Sequence, residues 1–298
     1  MSELISTLTN LFTLSFVVTS MFSFGLRLTL SEIIEPLRDI RLLLMTLVVN
    51  FVIVPLTALL LGNVLGLEED LRVGLILISM VAGAPLVPKL AQIAKANIPF
   101  AVASTALLVV ATVIYLPLVL PLLLPGVRLD TMSIVRPLAI QIVLPLALGL
   151  IVDYISKDEA DVLLPVLGQI ANVSLTLLLV LMLGGNLGNV IGLIGTGSIL
   201  AVILLLAVAM AAGYFLGGPD APTRRTLSMA SGQRNMAAAF VVATGSFADR
   251  PTVVVLLAAA GLLGMIVVMP VAGWFGRRAA KETALTPATG TEVVDANV

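Results

Sequence analysis

Two basic residues, Lys89 and Arg234, stand inside long apolar stretches of the sequence, in ILISMVAGAPLVPKLAQIAKAN and RRTLSMASGQRNMAAAFVVATG. By contrast, the 17 acidic residues all fall in polar loops, in tails or at the ends of apolar stretches. A buried cation needs acceptors, and arginine stays charged wherever it lies. If both side chains face a water-filled site, the guanidinium suits a carboxylate or sulfonate and the ammonium adds a point charge. The two residues therefore predict a site for a small organic anion.

Neutral polar residues near these cations could orient such a ligand through hydrogen bonds. The candidates for this role are Gln233, Ser231, Asn235, Thr105 and Asn50.

Each cation also has a purely structural interpretation. Lys89 could extend its ammonium to headgroup water, and Arg234 could bind the free carbonyls at a helix C-terminus. A buried Lys89 could alternatively load and release a proton in each cycle, because desolvation favours the neutral amine.

The composition indicates a protein whose solvent is lipid. Hydrophobic residues make up 59% of the 298 residues, charged residues 11%, and the mean hydropathy is +1.16. His and Cys are absent, so imidazole and thiolate chemistry are excluded and the sequence predicts no catalytic, metal or cofactor site. The formal net charge of −1 offers no basic field for nucleic acid. The partners expected are a small organic anion and membrane lipid, with no obligatory protein partner evident.

Apolar runs of about 20 residues recur between short polar breaks, which predicts an all-α, polytopic membrane protein of about nine spans. Gly83, Pro85 and Pro88 lie at the centre of the third span, where Pro88 should break or kink the helix, and residues 231–235 interrupt the eighth. We therefore expect both helices to be discontinuous. The sequences SMVAG and SMASG within them favour an inverted repeat. Residues 1–278 are expected to form the transmembrane domain and residues 279–298 a disordered polar cytoplasmic tail. The spans are placed at 5–27, 42–63, 71–95, 98–122, 133–153, 162–185, 195–216, 222–246 and 251–275.

The distribution of basic residues predicts the orientation, because cytoplasmic ends retain Lys and Arg. An outer N-terminus and a cytoplasmic C-terminus leave four bases outside, Arg72, Arg128, Arg136 and Arg250. Ten then lie inside, namely Arg27, Arg38, Arg41, Lys95, Lys157, Arg224, Arg225, Arg277, Arg278 and Lys281. We expect a multi-pass protein of a bacterial inner membrane.

Several segments resemble the bile acid:sodium symporter family, namely FSFGLRLTL, VVNFVIVP, APLVPKLAQIAKANIPFAVAST and SGQRNMAAA. The resemblance runs over nearly the whole chain and fits the nine-helix form. It implies a core domain, a panel domain, and two helices that cross at unwound centres inside the core. The third and eighth spans would be that crossing pair.

The resemblance also implies a sodium site, yet this chain departs from its ligand pattern. The expected hydroxyls and amide fall on Val87, Ala101 and Pro88, and the expected glutamate and glutamine fall on Ala230 and Arg234. Thr105 and Asn235 are retained, and Asn50 replaces a glutamine. Sodium prefers several oxygen ligands and is repelled by nearby cations. We therefore expect Lys89 and Arg234 to replace two sodium ions.

The predicted function is secondary transport of a small organic anion, independent of sodium or coupled to protons. The open alternatives are a conventional sodium-coupled symporter and a passive anion channel or membrane sensor. An enzyme is not expected.

Overall fold

The computed structural model describes residues 2–29, 39–124, 131–185 and 187–285, and the side chains of these residues except 2–6, 185 and 283–285. Within these ranges the regular structure is entirely helical. The helices are α1 (Ser2–Gly25), α2 (Ile40–Val48), α3 (Val54–Val64), α4 (Glu69–Met80), α5 (Val87–Ile93), α6 (Ile98–Leu123), α7 (Thr131–Leu138), α8 (Leu144–Ile155), α9 (Lys157–Gly185), α10 (Leu187–Gly192), α11 (Ser198–Leu216), α12 (Ala221–Gly232), α13 (Met236–Ser246) and α14 (Pro251–Leu285). Two π-helical turns, Val49–Ile53 and Ala139–Val143, join α2 to α3 and α7 to α8.

Seven helical segments of the described chain are long and apolar enough to cross a membrane. They are Thr7–Gly25, Ile40–Val64, Ile98–Leu123, Thr131–Ile155, Lys157–Gly184, Ser198–Leu216 and Pro251–Glu282. The prediction of an all-helical, multi-pass membrane protein is confirmed. Two predicted spans, the third and the eighth, appear as pairs of shorter helices, α4 with α5 and α12 with α13.

The first interruption lies before Pro88 rather than at it. Helix α4 ends at Met80, and Pro88 occupies the first turn of α5. A proline is tolerated there, because the N–H it lacks would have no helical acceptor. The second interruption covers Gln233–Asn235, while Ser231 and Gly232 remain in α12. The observed interruption is thus shorter than the predicted one, which covered residues 231–235.

The first interruption is held open by side chains from two neighbouring helices. Thr112 Oγ1 of α6 accepts from Ala82 N at 3.1 Å and donates to Ala82 O at 3.2 Å. Asn235 donates from its backbone N to Val81 O at 3.2 Å and from Nδ2 to Gly83 O at 3.1 Å. Gly83 has φ +80° and lies tightly against the backbone of α6. These bonds satisfy backbone groups that no helix satisfies.

Helices α1, α8 and α9 pack against one another and form one wall of the molecule. Helix α1 meets α8 at Gly25 and Gly149, where a Cβ built on either glycine would lie 3.0 Å from the Cα of the other. Small residues let two helix backbones approach this closely in a membrane. The wall faces α13 and α14, which belong to the group of helices around the two interruptions.

Helix α14 continues to Leu285, seven residues past the expected domain boundary at residue 278. Residues 279–285 thus belong to α14. Glu282 on this extension forms ion pairs with Arg225 of α12 and Arg278 of its own helix. The rest of the predicted tail, 286–298, lies outside the described residues. So do residues 30–38, which belong to the polar segment 28–41 between the first two predicted spans.

Candidate anion site at the helix interruptions

The two interruptions are in contact, and Arg234 lies at the place where they meet, here called the crossing. Its side chain is buried, with 3% relative exposure. Nε donates to Ile78 O at 3.1 Å and Nη2 to Ser79 O at 2.7 Å. Nη1 donates to Ser231 O at 2.8 Å and to Asn50 Oδ1 at 3.1 Å. Four hydrogen bonds therefore hold one guanidinium between the last turns of α4 and α12.

This arrangement follows from helix geometry. The last carbonyls of a helix lack intrahelical donors, and the helix dipole makes that end negative. Two such ends converge at the crossing, and a cation with five donors satisfies both. The structural interpretation of Arg234 is therefore the one the structure supports, because most of its donors are used within the protein.

Asn50 and Ser231 contribute to this network rather than to an open site. Asn50, in the first π-helical turn, donates from Nδ2 to Thr46 O at 3.0 Å and to Ser231 Oγ at 3.2 Å. Its Oδ1 is one of the acceptors of Arg234. Thr105 donates to Ala101 O of its own helix at 2.7 Å. Asn50, Ser231 and Thr105 do not line the cavity described next.

A cavity of about 530 Å³ lies between the wall and the crossing, a size typical of sites for small molecules. Its wall side consists of one face of α1 (Phe16, Ser20, Ser23 and Phe24), of Arg27 just after that helix, and of one face of α9 (Gly168, Ala171, Asn172, Leu175 and Leu179). The opposite side consists of Ala84–Leu86, Lys89 and Gln92 of the first broken pair, Gln233–Ala237 and Phe240 of the second, and Gly261, Leu262 and Met265 of α14. The lining residues on α1 run from Phe16 to Phe24, which is about 12 Å of helix.

The cavity is positive and contains unpaired polar atoms. Three bases line it, Arg27, Lys89 and Arg234, and no Asp or Glu occurs among the described residues of its lining. Ser23 Oγ and Gln233 Oε1 are buried without a hydrogen-bond partner in the described part of the chain. Buried polar atoms are normally satisfied, so a ligand or water is expected to complete these two.

Four of the seven predicted site residues, Lys89, Gln233, Arg234 and Asn235, line this cavity together. Lys89 is exposed, so the burial on which proton loading was predicated is not found in this conformation. Arg27, Ser23 and Asn172 were missed. For Ser23 and Arg27 the signal in the sequence was their spacing with Ser20, which places all three on one face of the predicted first span.

The family model described as the sodium bile acid symporter family matches residues 14–193 of this chain. A chloroplastic protein of Arabidopsis thaliana, described as the probable sodium/metabolite cotransporter BASS3, is 27% identical over 230 residues, which are 75% of this chain and 53% of that protein. A second, BASS1, has the same description and is 25% identical over 267 residues, covering 88% of this chain and 66% of the relative. The chain spans about half the length of the first relative.

Proposed function

Because the chain belongs to the sodium bile acid symporter family, we propose that it carries small organic anions across a membrane without sodium coupling. The family is one of membrane transporters, so the chain is a transporter and not an enzyme. The relatives are described as probable sodium/metabolite cotransporters. The proposal for this chain differs from that description in the coupling ion.

The observation that carries the proposal is the guanidinium of Arg234 at the crossing. It is surrounded by carbonyl oxygens of Ile78, Ser79 and Ser231 and by Asn50 Oδ1, at 2.7 to 3.1 Å. These are the neutral oxygens that a hard cation such as sodium would need as ligands. A sodium ion could use these oxygens only if it displaced the guanidinium. The displaced guanidinium would remain nearby and repel the ion, at a cost of a few kcal/mol even at an effective dielectric near 20.

The architecture proposed for this function has nine spans, an outer N-terminus and a cytoplasmic C-terminus, with the transporter domain within residues 1–278. The two broken pairs would complete the nine spans and form the crossing of an inverted repeat. The wall of α1, α8 and α9 would be the panel domain, and the remaining helices the core.

The decisive experiment is uptake into proteoliposomes in which sodium is replaced by potassium or choline. Labelled taurocholate, pyruvate and pantothenate represent three classes of organic anion. We expect at least one to be taken up saturably, with counterflow, and at rates equal within about twofold in the three salts. Strict sodium dependence would establish the conventional symporter instead. Flux without counterflow would indicate a channel, and no uptake of any of the three would contradict anion transport.

Replacing Lys89 tests the positive charge of the cavity. In Lys89→Gln the anion loses a charged partner, and hydrogen bonds to charged groups contribute about 1.5–3 kcal/mol. We expect kcat/KM for the transported anion to fall by roughly 10- to 100-fold. Lys95→Gln is the matched control, because Lys95 is exposed at the end of the same broken pair but does not line the cavity. Equal losses in both variants would show that the effect is not local to the cavity.

A proton gradient tests the remaining form of coupling. If an imposed gradient drives uptake in the wild type but not in Lys89→Gln, Lys89 carries a proton in another conformation of the cycle. Uptake that responds to the gradient in neither protein leaves substrate-only transport as the mechanism.

A further inference from the structure

The cations of the cavity differ in how much of their hydrogen-bonding capacity is already used. The guanidinium of Arg234 makes four hydrogen bonds to protein oxygens. For the side chains of Lys89 and Arg27 the structure records no hydrogen bond or ion pair with any described residue, and both are exposed. The charge available to a ligand is therefore that of Lys89 and Arg27.

These two side chains come from opposite sides of the cavity. Arg27 follows the last turn of α1 in the wall, and Lys89 lies in α5, on the side of the broken helices. Contacts between α1 and the broken pairs are few apart from those with α13. An anion bound to both cations would thus bridge α1 and the first broken pair, which share few direct contacts.

Two unpaired polar atoms also lie on opposite sides of the cavity, one in the wall and one at the broken helices. Ser23, on the face of α1 that carries Arg27, is 7% exposed, and Gln233, beside Arg234, is 8% exposed. Their Oγ and Oε1 atoms lack partners in the described structure. Among the residues that the structure describes, each side of the cavity therefore offers one cation without a recorded partner and one buried polar atom that a polar ligand could satisfy.

We propose that Arg27 and Lys89 form a two-sided clamp for the acid group of the transported anion, with Arg27 as a specificity-determining residue. The proposal rests on the proposed function and assigns the substrate class as a carboxylate or sulfonate on a compact, partly apolar body. Phe16, Phe24 and Phe240 of the lining receive the apolar part. Arg234 has a structural role and does not contact the acid group. Without an anion the two cations repel each other across the cavity, and a bound acid group converts this repulsion into attraction.

The clamp can be tested without knowing the substrate, because the chain contains no cysteine. Ser20→Cys places a single thiol on the α1 side of the cavity that both cations line. The rate of its modification is measured with an anionic reagent, methanethiosulfonate ethylsulfonate, and with a cationic one, methanethiosulfonate ethyltrimethylammonium. Each rate is divided by the rate of the same reagent with free 2-mercaptoethanol. Clefts lined by charge of one sign concentrate oppositely charged molecules by about 10- to 1,000-fold.

We expect a normalised anion-to-cation rate ratio of at least about 10 in Ser20→Cys. Adding either Arg27→Gln or Lys89→Gln should lower it at least about threefold, and both together more than either alone. Arg27→Lys, which keeps the charge, should preserve the ratio, and Arg277→Gln, outside the cavity, is the matched control.

A ratio that Lys89→Gln lowers but Arg27→Gln leaves unchanged would overturn the two-sided clamp. A thiol that reacts with neither reagent would overturn the open cavity on which the clamp depends. Either result is distinguishable from failure of the proposed function, because uptake of organic anions by the wild type is measured separately. If the wild type takes up anions but the normalised rate ratio is the same with and without the Arg27 and Lys89 substitutions, the clamp is refuted and the proposed transport function stands.

Discussion

Arg234→Met is expected to destabilise the protein by about 3–5 kcal/mol, as is typical when one partner of a buried, hydrogen-bonded charged group is removed. The methionine occupies a similar length but donates nothing to Ile78 O, Ser79 O and Ser231 O, which remain buried. Each buried acceptor left without a donor costs about 1–3 kcal/mol. The measurement is thermal unfolding of the purified protein in detergent, where the midpoint should fall by on the order of 10 °C.

The control for this variant is Arg277→Met, which removes an exposed arginine from α14. Surface substitutions of this kind change stability by about 0.5 kcal/mol or less. Arg234→Lys should lie between the wild type and Arg234→Met, since an ammonium keeps the charge but cannot reproduce the planar fork. A midpoint for Arg234→Met within about 2 °C of the wild type would show that the crossing does not depend on the guanidinium.

Gly149→Ala and Gly25→Ala should each separate α1 from α8 and destabilise the wall. The Cβ added at Gly149 would overlap the backbone carbonyl oxygen of Phe22 and lie 2.9 Å from Leu26 N. The Cβ added at Gly25 would overlap the carbonyl of Leu146 in the same way. Because the obstacles are backbone atoms, no side-chain rotation relieves them. Overpacking costs about 1–3 kcal/mol in soluble cores, and we expect the upper end of this range or more here.

Gly184→Ala is the matched control, since it lies in the same wall and its Cβ would meet no atom within 4 Å. The yield of monodisperse protein and the unfolding midpoint are compared for the three variants. The close approach of α1 and α8 would be refuted if the alanines at 25 and 149 were tolerated as well as the one at 184.

Much of the helical layout could be predicted from hydropathy, because a bilayer requires long uninterrupted apolar segments. The position of the interruptions was harder to predict. The break was expected at Pro88, which lies in α5, whereas the helix ends at Met80. Gly83 supplies the backbone conformation that the interruption needs, and Thr112 and Asn235 supply hydrogen-bond partners. Two of these three contacts come from residues far away in the sequence, and no local pattern contains them.

The site was predictable where a charge stood out against apolar neighbours. Lys89 and Arg234 met this condition, and both line the cavity. What the sequence could not separate was their roles, since the hydrogen bonds that occupy Arg234 depend on three distant carbonyls. Arg27 was assigned only to the orientation count, because a base at the end of a span is the ordinary case. Its spacing with Ser20 and Ser23 becomes informative only once the structure shows that residues of α9 and α5 line the same cavity.

The cation at the crossing is the guanidinium of Arg234, which is covalently part of the chain, and this has a consequence for how transport can be driven. Under the proposed sodium-independent mechanism, this covalently attached charge cannot dissociate into either compartment, so Arg234 itself transmits no energy from an ion gradient. Without proton coupling, a singly charged substrate then distributes according to its own concentrations and the membrane voltage. At 100 mV, negative inside, that voltage is equivalent to about 2.3 kcal/mol per charge, or roughly a 50-fold lower anion concentration inside at equilibrium. In an energised cell, a carrier of this kind would release anions or exchange one for another.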